Sequence, residues 1–270
     1  MHRCDEYIFV LSQGKGSATK PRSFALFGNA PALQLDTGAT AQQWRCPVCE
    51  RVDHLMATWL RSPPRTSYSL GVVHSHGHRD HPAGQAQFEG RPDTPVGGKD
   101  HSSVMNFFAL ANCPDAGQLG LGRRVLEITG AAGHDVSSIS NLDPCSGLLL
   151  SGDLVNPGRL YVQDMSAPTQ CLDRMFLLAK SGQVRHVMGA HIQMSRTPGR
   201  DCSRWTTLQP GQPPLQMSIE QLGGVRDGAV LVDNCRGAHV FDEFAMFDRP
   251  CWLAIAHQRV PRVWRSLCRS

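Results

Sequence analysis

The fold is decided by one stretch of the chain, Val72-Val73-His74-Ser75-His76-Gly77-His78-Arg79-Asp80-His81-Pro82-Ala83-Gly84. An apolar run leads directly into four histidines and one aspartate, all between His74 and His81. Crowded imidazoles repel one another when protonated, whereas neutral imidazole and carboxylate both suit a borderline divalent cation such as zinc. The stretch therefore predicts a metal site rather than a polar surface loop.

The composition limits the class of protein. The chain has 270 residues, 41% of them hydrophobic and 19% charged, which suffices for one large or two small globular domains. The formal net charge of +4 is too weak to predict a nucleic acid or a membrane surface as partner. No stretch reaches the roughly 18 apolar residues of a spanning helix, and the apolar run at residues 7–11 is too short for a signal peptide. We expect a cytoplasmic protein with a small-molecule substrate.

The chain carries ten cysteines, two of them in a C-x-x-C, Cys46-Pro47-Val48-Cys49. Such a pair is typical of half a zinc site or of a redox centre. Because no second C-x-x-C completes a zinc ribbon, we interpret these residues as structural or incidental free thiols. We expect one catalytic domain over residues 1–248 and a basic tail over residues 249–270.

Periodicity predicts strands that alternate with helices. From residue 47 to residue 60, apolar residues recur every three or four positions, as on one helical face. Further helices are predicted at residues 104–110, at 168–181 and from Met217. Strands are predicted at residues 7–11, 23–27, 32–36, 68–74, 124–129, 137–140, 147–150, 184–191 and 239–241. This order predicts a layered α/β architecture, in which sites form at strand ends.

Residues that can bind metal follow several of the predicted strands. His134 comes after Gly130-Ala131-Ala132-Gly133, Asp153 comes after Ser151-Gly152, and His191 comes after Gly189-Ala190. Asp36-Thr37-Gly38 ends another strand. The D-T-G sequence is also a signature of aspartic proteases, but here it occurs once, in a chain too short for the two lobes of such an enzyme. We interpret Asp36 as a carboxylate that orients the loop or a ligand.

The ordered pattern resembles the metallo-β-lactamase fold superfamily. It consists of His-x-His-x-Asp-His, a Gly-His, a Gly-Asp and a late Gly-x-His, and Asp36-Thr37-Gly38 matches the D-T-G strand end of that superfamily. The resemblance covers roughly residues 32–191 and implies an α/β fold of four layers, an αβ/βα sandwich with metals at one edge of two facing sheets. Residues 189–199 resemble a run in uncharacterised bacterial hydrolases of this fold.

The resemblance also implies two metal ions, most simply Zn²⁺, with Fe or Mn as alternatives. It assigns three ligands to the first ion, three to the second and one carboxylate to both: His76, His78 and His134; Asp80, His81 and His191; Asp153. Two cations a few ångströms apart can hold a hydroxide between them and polarise a carbonyl oxygen. Asp80 would be catalytic, orienting that hydroxide or carrying a proton to the leaving group.

The residue at position 153 indicates the branch of the superfamily. True β-lactamases commonly carry cysteine or serine there, whereas an aspartate resembles the glyoxalase II, lactonase and phosphodiesterase branches. We therefore expect hydrolysis of an ester, a thioester or a lactone. Two alternatives stay open: β-lactam hydrolysis as the main or a side activity, and a persulfide dioxygenase with one iron on His76, His134 and Asp153.

A few residues near the motif are open to interpretation. Arg159 and Tyr161 are candidates for contact with a substrate oxygen. Arg79, between two ligands, either faces the substrate or is solvated. We interpret His74 as a histidine that packs beneath the ligands. Pro82-Ala83-Gly84 stands where many relatives have x-Gly-Gly, a change expected to alter packing more than metal binding.

Overall fold

The computed structural model describes most of the chain. It covers residues 1–13, 20–61, 67–110, 116–162, 165–203, 209, 211–233 and 235–249. Residues 14–19 and the basic tail beyond Arg249 lie outside the described residues, so the division into a domain and a tail stays a prediction.

The described residues form fourteen strands and four helices. The strands are β1 (His2–Arg3), β2 (Ile8–Ser12), β3 (Arg22–Phe27), β4 (Ala32–Leu35), β5 (Leu70–Val73), β6 (Ala116–Gly120), β7 (Val125–Gly130), β8 (Ile139–Asp143), β9 (Leu148–Gly152), β10 (Arg159–Val162), β11 (His186–Gly189), β12 (Gln216–Met217), β13 (Gly237–Val240) and β14 (Ala245–Asp248). The helices are α1 (Val48–Trp59), α2 (His101–Phe107), α3 (Ser166–Lys180) and α4 (Ile219–Val232). Residues 85–88 form one 3-10 turn.

Two large sheets and one small sheet organise these strands. The first sheet has the order β1-β2-β3-β4-β5, the second β12-β11-β9-β8-β7-β6, and the third β10-β14-β13. In each large sheet one parallel pair is joined by a helical crossover: β4 and β5 through α1, and β9 and β11 through α3. Parallel neighbours require such a crossover because a tight turn reverses the direction of the chain and can therefore join only antiparallel strands.

The layers follow from the alternation of side chains along each strand. Along β3, Phe24 and Leu26 face the second sheet, while Ala25 and Phe27 face α1. On the far side of the second sheet, Leu149 packs with α3 and α4 in a separate core. The layers are therefore helix, sheet, sheet and helix, which confirms the predicted α/β four-layer sandwich.

Some predicted boundaries were displaced by local side-chain bonds. The strand predicted at residues 137–140 begins at Ile139 instead, because the Asp135 carboxylate accepts a hydrogen bond from the backbone N–H of Ser137 (2.8 Å) and holds a turn there. Helix α2 begins at His101, earlier than predicted, because Asp100 caps it by accepting from the Ser103 N–H (3.0 Å). None of the helices in the described ranges has the length and apolar character needed to cross a membrane.

Candidate metal centre

Asp36 fixes the shape of the motif loop. It follows β4 with a φ of 64°, a left-handed conformation that aspartate tolerates better than most residues. Its carboxylate accepts hydrogen bonds from the Ser75 N–H (2.7 Å) and the Ser75 hydroxyl (2.9 Å), and it lies 2.8 Å from Nδ1 of His81. These bonds confirm that Asp36 orients the loop, and they place its carboxylate on a proposed ligand, His81.

A second set of bonds joins the D-T-G turn to the end of the motif. The backbone N–H and the hydroxyl of Thr37 both donate to the His81 carbonyl, at 2.7 and 3.0 Å. A Cβ at Gly84 would lie 2.4 Å from the Thr37 carbonyl oxygen, so this position needs glycine. Ala83 carries a side chain without conflict, which explains why only the second glycine of the usual pair is kept.

The structure brings all seven predicted ligands into one cluster. They fall into three overlapping sets, and in each set the ligand atoms lie within 4.8 Å of one another: His76, His78 and His134; His76, His81 and Asp153; Asp80, His81 and His191. Two ligands bound tetrahedrally at the usual zinc distances are separated by about 3.3 Å. Nδ1 of His78 and Nε2 of His134 are 2.9 Å apart, and Nε2 of His191 and Oδ2 of Asp80 are 3.5 Å apart, close to that separation.

Asp153 lies between the first and third of these sets. Its Oδ2 is 3.7 Å from Nε2 of His134, 3.6 Å from Nε2 of His81 and 3.4 Å from Nε2 of His191. One carboxylate oxygen thus faces histidines of both sets, the position that a carboxylate shared by two cations requires.

Buried polar atoms without partners test whether a metal fits this cluster. Ten buried side-chain nitrogen and oxygen atoms of the described residues make no hydrogen bond, and three of them are Nε2 of His76, Nε2 of His81 and Oδ1 of Asp153. Native structures rarely leave such atoms unsatisfied, so each orphan needs an explanation. All three belong to the cluster, and imidazole nitrogen with carboxylate oxygen is a donor set suited to zinc. The residues therefore fit a metal centre.

Neighbouring groups orient the histidines. Nδ1 of His81 is held by Asp36, Nδ1 of His134 lies 2.9 Å from the Tyr161 carbonyl oxygen, and Nδ1 of His76 lies 3.1 Å from the Ser75 hydroxyl. An Nδ1–H that donates to these oxygens leaves the lone pair of Nε2 aimed at the centre.

His78 presents the opposite nitrogen to the cluster. Its Nδ1 faces His134, while its Nε2 lies 3.4 Å from Oδ2 of Asp135. Sequence reasoning missed both Asp135 and the Tyr161 carbonyl as supports. The only signal for Asp135 was its place directly after His134.

The cluster holds both neutral and charged groups. Burial alone would lower the pKa of His191, but the charges and hydrogen bonds of Asp153 and Asp80 raise it to about 9. Burial lowers the pKa of His76 to about 3 and also lowers the pKa of His134, so both rings are neutral. Burial alone would raise the pKa of Asp80, but the hydrogen bond and charge of His191 and the charge of His81 lower it overall. The pKa of Asp153 likewise lies well below its usual range because His191 and His81 outweigh burial. The carboxylates are therefore ionised.

Known proteins resemble this chain in structure rather than in sequence. No family model and no curated protein matches it. A metallo-β-lactamase from Pontibacter korlensis superposes with a TM-score of 0.55 at 13% identity, covering 85% of this chain and 97% of that one. For the DIM-1 metallo-β-lactamase the TM-score is 0.52 at 15% identity, with 86% and 96% covered. The chain has the metallo-β-lactamase fold.

A third metallo-β-lactamase-fold structure is larger. The stereoselective inverting sec-alkylsulfatase Pisa1 from Pseudomonas sp. gives a TM-score of 0.55 at 12% identity, and the match covers 86% of this chain but 42% of that one. At such identities the likeness establishes the fold alone. The metallo-β-lactamase fold and the His/Asp clusters are together compatible with a metal-dependent hydrolase.

The two predicted substrate residues differ in their surroundings. Arg159 is buried, and its Nε and Nη2 donate to Oδ2 of Asp201 at 2.9 and 2.6 Å. This ion pair joins β10 to the segment after His191, and a contact of Arg159 with substrate stays a prediction. The Tyr161 ring stacks on Phe247 at 5.2 Å, and its contact with substrate stays a prediction.

The remaining residues singled out by the sequence have structural surroundings. His74 is buried, and its Nε2 lies 2.9 Å from Oε1 of Gln85, which confirms that it packs beneath the ligands. Cys46 and Cys49 are free thiols whose pKa is raised chiefly by burial, and neither belongs to a metal-type cluster of the described residues. These properties agree with structural thiols, since reactive cysteines have a lowered pKa.

Proposed function

We propose that this protein is a dinuclear metal-dependent hydrolase that uses zinc and cleaves an ester, a thioester or a lactone. One observation carries the proposal: Oδ2 of Asp153 lies within 3.7 Å of Nε2 of His134 and of Nε2 of His191, which belong to different ligand sets. A carboxylate between two complete ligand sets has no evident purpose in a centre with one metal.

The proposed roles follow from where each side chain lies. His76, His78 and His134 would hold one ion and Asp80, His81 and His191 the other, with Asp153 shared. Cations held there would act as Lewis acids toward a carbonyl oxygen and would lower the pKa of a water molecule. Asp80 is ionised and its side chain is 27% exposed, so its carboxylate can accept a proton from the attacking water and then pass it to the leaving group.

The alternative activities make different demands on the same residues. A dioxygenase with one iron on His76, His134 and Asp153 would leave the set of Asp80, His81 and His191 without a role. Hydrolysis of β-lactams is proposed only as a side activity, because the similarity to the named β-lactamases concerns the fold. We also propose a small-molecule substrate and a cytoplasmic location, supported by the modest net charge of +4 and by the free thiols.

The proposal is tested by metal content and by turnover together. Elemental analysis of the purified protein should find about two equivalents of metal per chain. Single variants His76→Ala and Asp80→Ala should each lose hydrolysis of a panel of lactones, thioesters, phosphodiesters and a chromogenic β-lactam, because each removes a ligand from a different set. The matched control is His54→Ala, an exposed histidine on α1, which should retain full activity.

Two results would contradict the proposal. Undiminished hydrolysis by both ligand variants would show that the cluster is not the active site. Iron near one equivalent, together with oxygen consumption on glutathione persulfide, would establish the dioxygenase instead.

A further inference from the structure

A cavity of about 590 Å³ lies beside the motif loop, and none of the seven proposed ligands lines it. Its walls come from residues 39–42, which follow the D-T-G turn, and from six residues of the motif loop and the 3-10 turn together with Lys99: Arg79, Pro82, Ala83, Gln85, Ala86 and Glu89. Arg79 lines the cavity and stands in the chain between the ligands His78 and Asp80. Consecutive Cα atoms are about 3.8 Å apart. Arg79 and Pro82 thus place this wall one residue along the chain from the proposed ligands His78, Asp80 and His81.

The cavity carries more positive than negative charge. Arg79 and Lys99 are exposed in its wall, and neither forms a hydrogen bond or an ion pair with any described residue. Glu89 is the single acidic side chain among its lining residues. By contrast, three arginines elsewhere in the described chain are each paired with a carboxylate: Arg91 with Asp53, Arg124 with Asp143 and Arg159 with Asp201.

Gln85 adds a neutral donor to the same wall. Its Oε1 faces Nε2 of the buried His74 at 2.9 Å, which fixes the orientation of the carboxamide and leaves the amide N–H groups outside that bond. A guanidinium fork, an ammonium and an amide are together the donors that a planar oxyanion accepts from. Because Glu89 offsets one of the two cations, a singly charged carboxylate fits better than a doubly charged phosphate.

We propose that this cavity binds a carboxylate of the substrate through Arg79 and Lys99, with the scissile bond over the metal centre. The inference rests on the proposed hydrolase function and specifies its substrate class: an acyl compound with a carboxylate some distance from the bond that breaks.

The test compares substrates that differ only in this charge. 4-Nitrophenyl hydrogen suberate carries a terminal carboxylate, and 4-nitrophenyl methyl suberate is its neutral counterpart. The wild-type enzyme should show a kcat/KM at least 5-fold higher for the acid. Arg79→Met and Lys99→Met should each reduce the ratio of the two kcat/KM values about 5- to 10-fold, mainly through the KM of the acid, since a factor of this size corresponds to about 1–1.4 kcal/mol, within the range of one net hydrogen bond at an exposed site.

A matched control and a binding measurement complete the experiment. The control variant Arg123→Met removes an exposed cation just before β7, at the opposite end of that strand from His134. This variant should leave the ratio of the two kcat/KM values unchanged. Titration calorimetry with suberate should show at least 5-fold weaker binding to Arg79→Met than to wild type, and metal content should be equal in all variants.

The outcomes separate the two proposals. Equal kcat/KM for acid and methyl ester in the wild type, or an unchanged ratio in both cavity variants, would overturn the carboxylate site while the hydrolase function stands. Hydrolysis of neither ester, with suberate binding still dependent on Arg79, would support the site and reject the esterase function. Suberate and 8-phosphonooctanoate can also be compared as inhibitors of the hydrolysis of the acid ester, since the phosphonate end group carries up to two charges. Stronger inhibition by phosphonooctanoate than by suberate would refute the preference for a single charge.

Discussion

At the scale of single residues, Asp36 shows how a buried charge is put to use. The side chain is almost fully buried, and burial alone would raise its pKa, but the charge and hydrogen bond of His81 lower it overall. The ionised carboxylate then holds Nδ1 of His81 and two donors of Ser75. The Asp36 carboxylate thereby fixes the proton of His81 on Nδ1, which selects the tautomer of this proposed ligand. A variant that removes only the charge of Asp36 should therefore weaken metal binding.

The first prediction at this scale concerns Asp36→Asn, which keeps the size of the side chain and removes its charge. We expect the affinity of the centre for zinc to fall about 10- to 100-fold, as is usual when the support of a ligand histidine is lost. Titration against a chromogenic zinc chelator measures this affinity. The matched control is Asp53→Asn, which removes an exposed carboxylate of α1 that is paired with Arg91. This variant should leave the affinity for zinc unchanged. Equal affinity in Asp36→Asn would mean that His81 is oriented in another way.

At the scale of elements, close packing between β11 and the turn after β9 sets the separation of two ligands. A Cβ at Gly189 would lie 2.2 Å from the Val155 carbonyl oxygen and 2.4 Å from Cβ of Asn156. The same turn begins at Asp153, and β11 leads into His191. The absence of a side chain at Gly189 therefore allows the 3.4 Å approach of His191 to Asp153.

Gly189→Ala should act on stability and on the site together. Overpacking of this kind costs about 1–3 kcal/mol, and the strand must move away from the turn, so metal content should fall as well. Gly224→Ala provides the contrast, since it lies in helix α4 with nothing within 4 Å of the new Cβ and should stabilise the protein by about 0.5–1 kcal/mol. Urea unfolding and elemental analysis measure both effects. Normal stability of Gly189→Ala would refute the packing argument.

The same scale shows what the sequence could predict. Strand ends with His134, Asp153 and His191 were recognisable because apolar runs led into small residues and then into a ligand type. Strand β6 was missed because its residues, Ala116–Gly120, include two glycines and alternate between exposed and half-buried positions. The support of His134 by the Tyr161 carbonyl was not predictable either, since every residue has a carbonyl and only the pairing of β10 with β14 places this one.

At the scale of the whole molecule, the proposed centre joins the two large sheets. His76, His78, Asp80 and His81 follow β5 of the first sheet, whereas His134, Asp153 and His191 follow strands of the second. The ordered pattern along the chain predicted this meeting of ligands and the four layers. Periodicity alone did not reveal which face of each strand meets the other sheet, because strands buried on both sides are apolar throughout.

Removal of the metal should therefore destabilise the entire fold. A ligand present at about 1,000 times its Kd stabilises the folded state by about 4 kcal/mol, which for a chain of this size corresponds to a fall in Tm of about 8–16 °C after treatment with a chelator. Scanning calorimetry measures the change. The His76→Ala and Asp80→Ala double variant should show no fall on chelation, and a fall of equal size there would locate the stabilising metal elsewhere.

The spacing of the ligands along the chain also has a consequence for biosynthesis. The motif loop leaves the ribosome early, but its partners are added one at a time, and His191 comes last. Until that residue emerges, Asp80 and His81 lack the third member of their set, and the nascent chain offers at most a partial site. In the proposed dinuclear centre, the ion of this set would therefore be bound only after synthesis of β11, late in translation or after release.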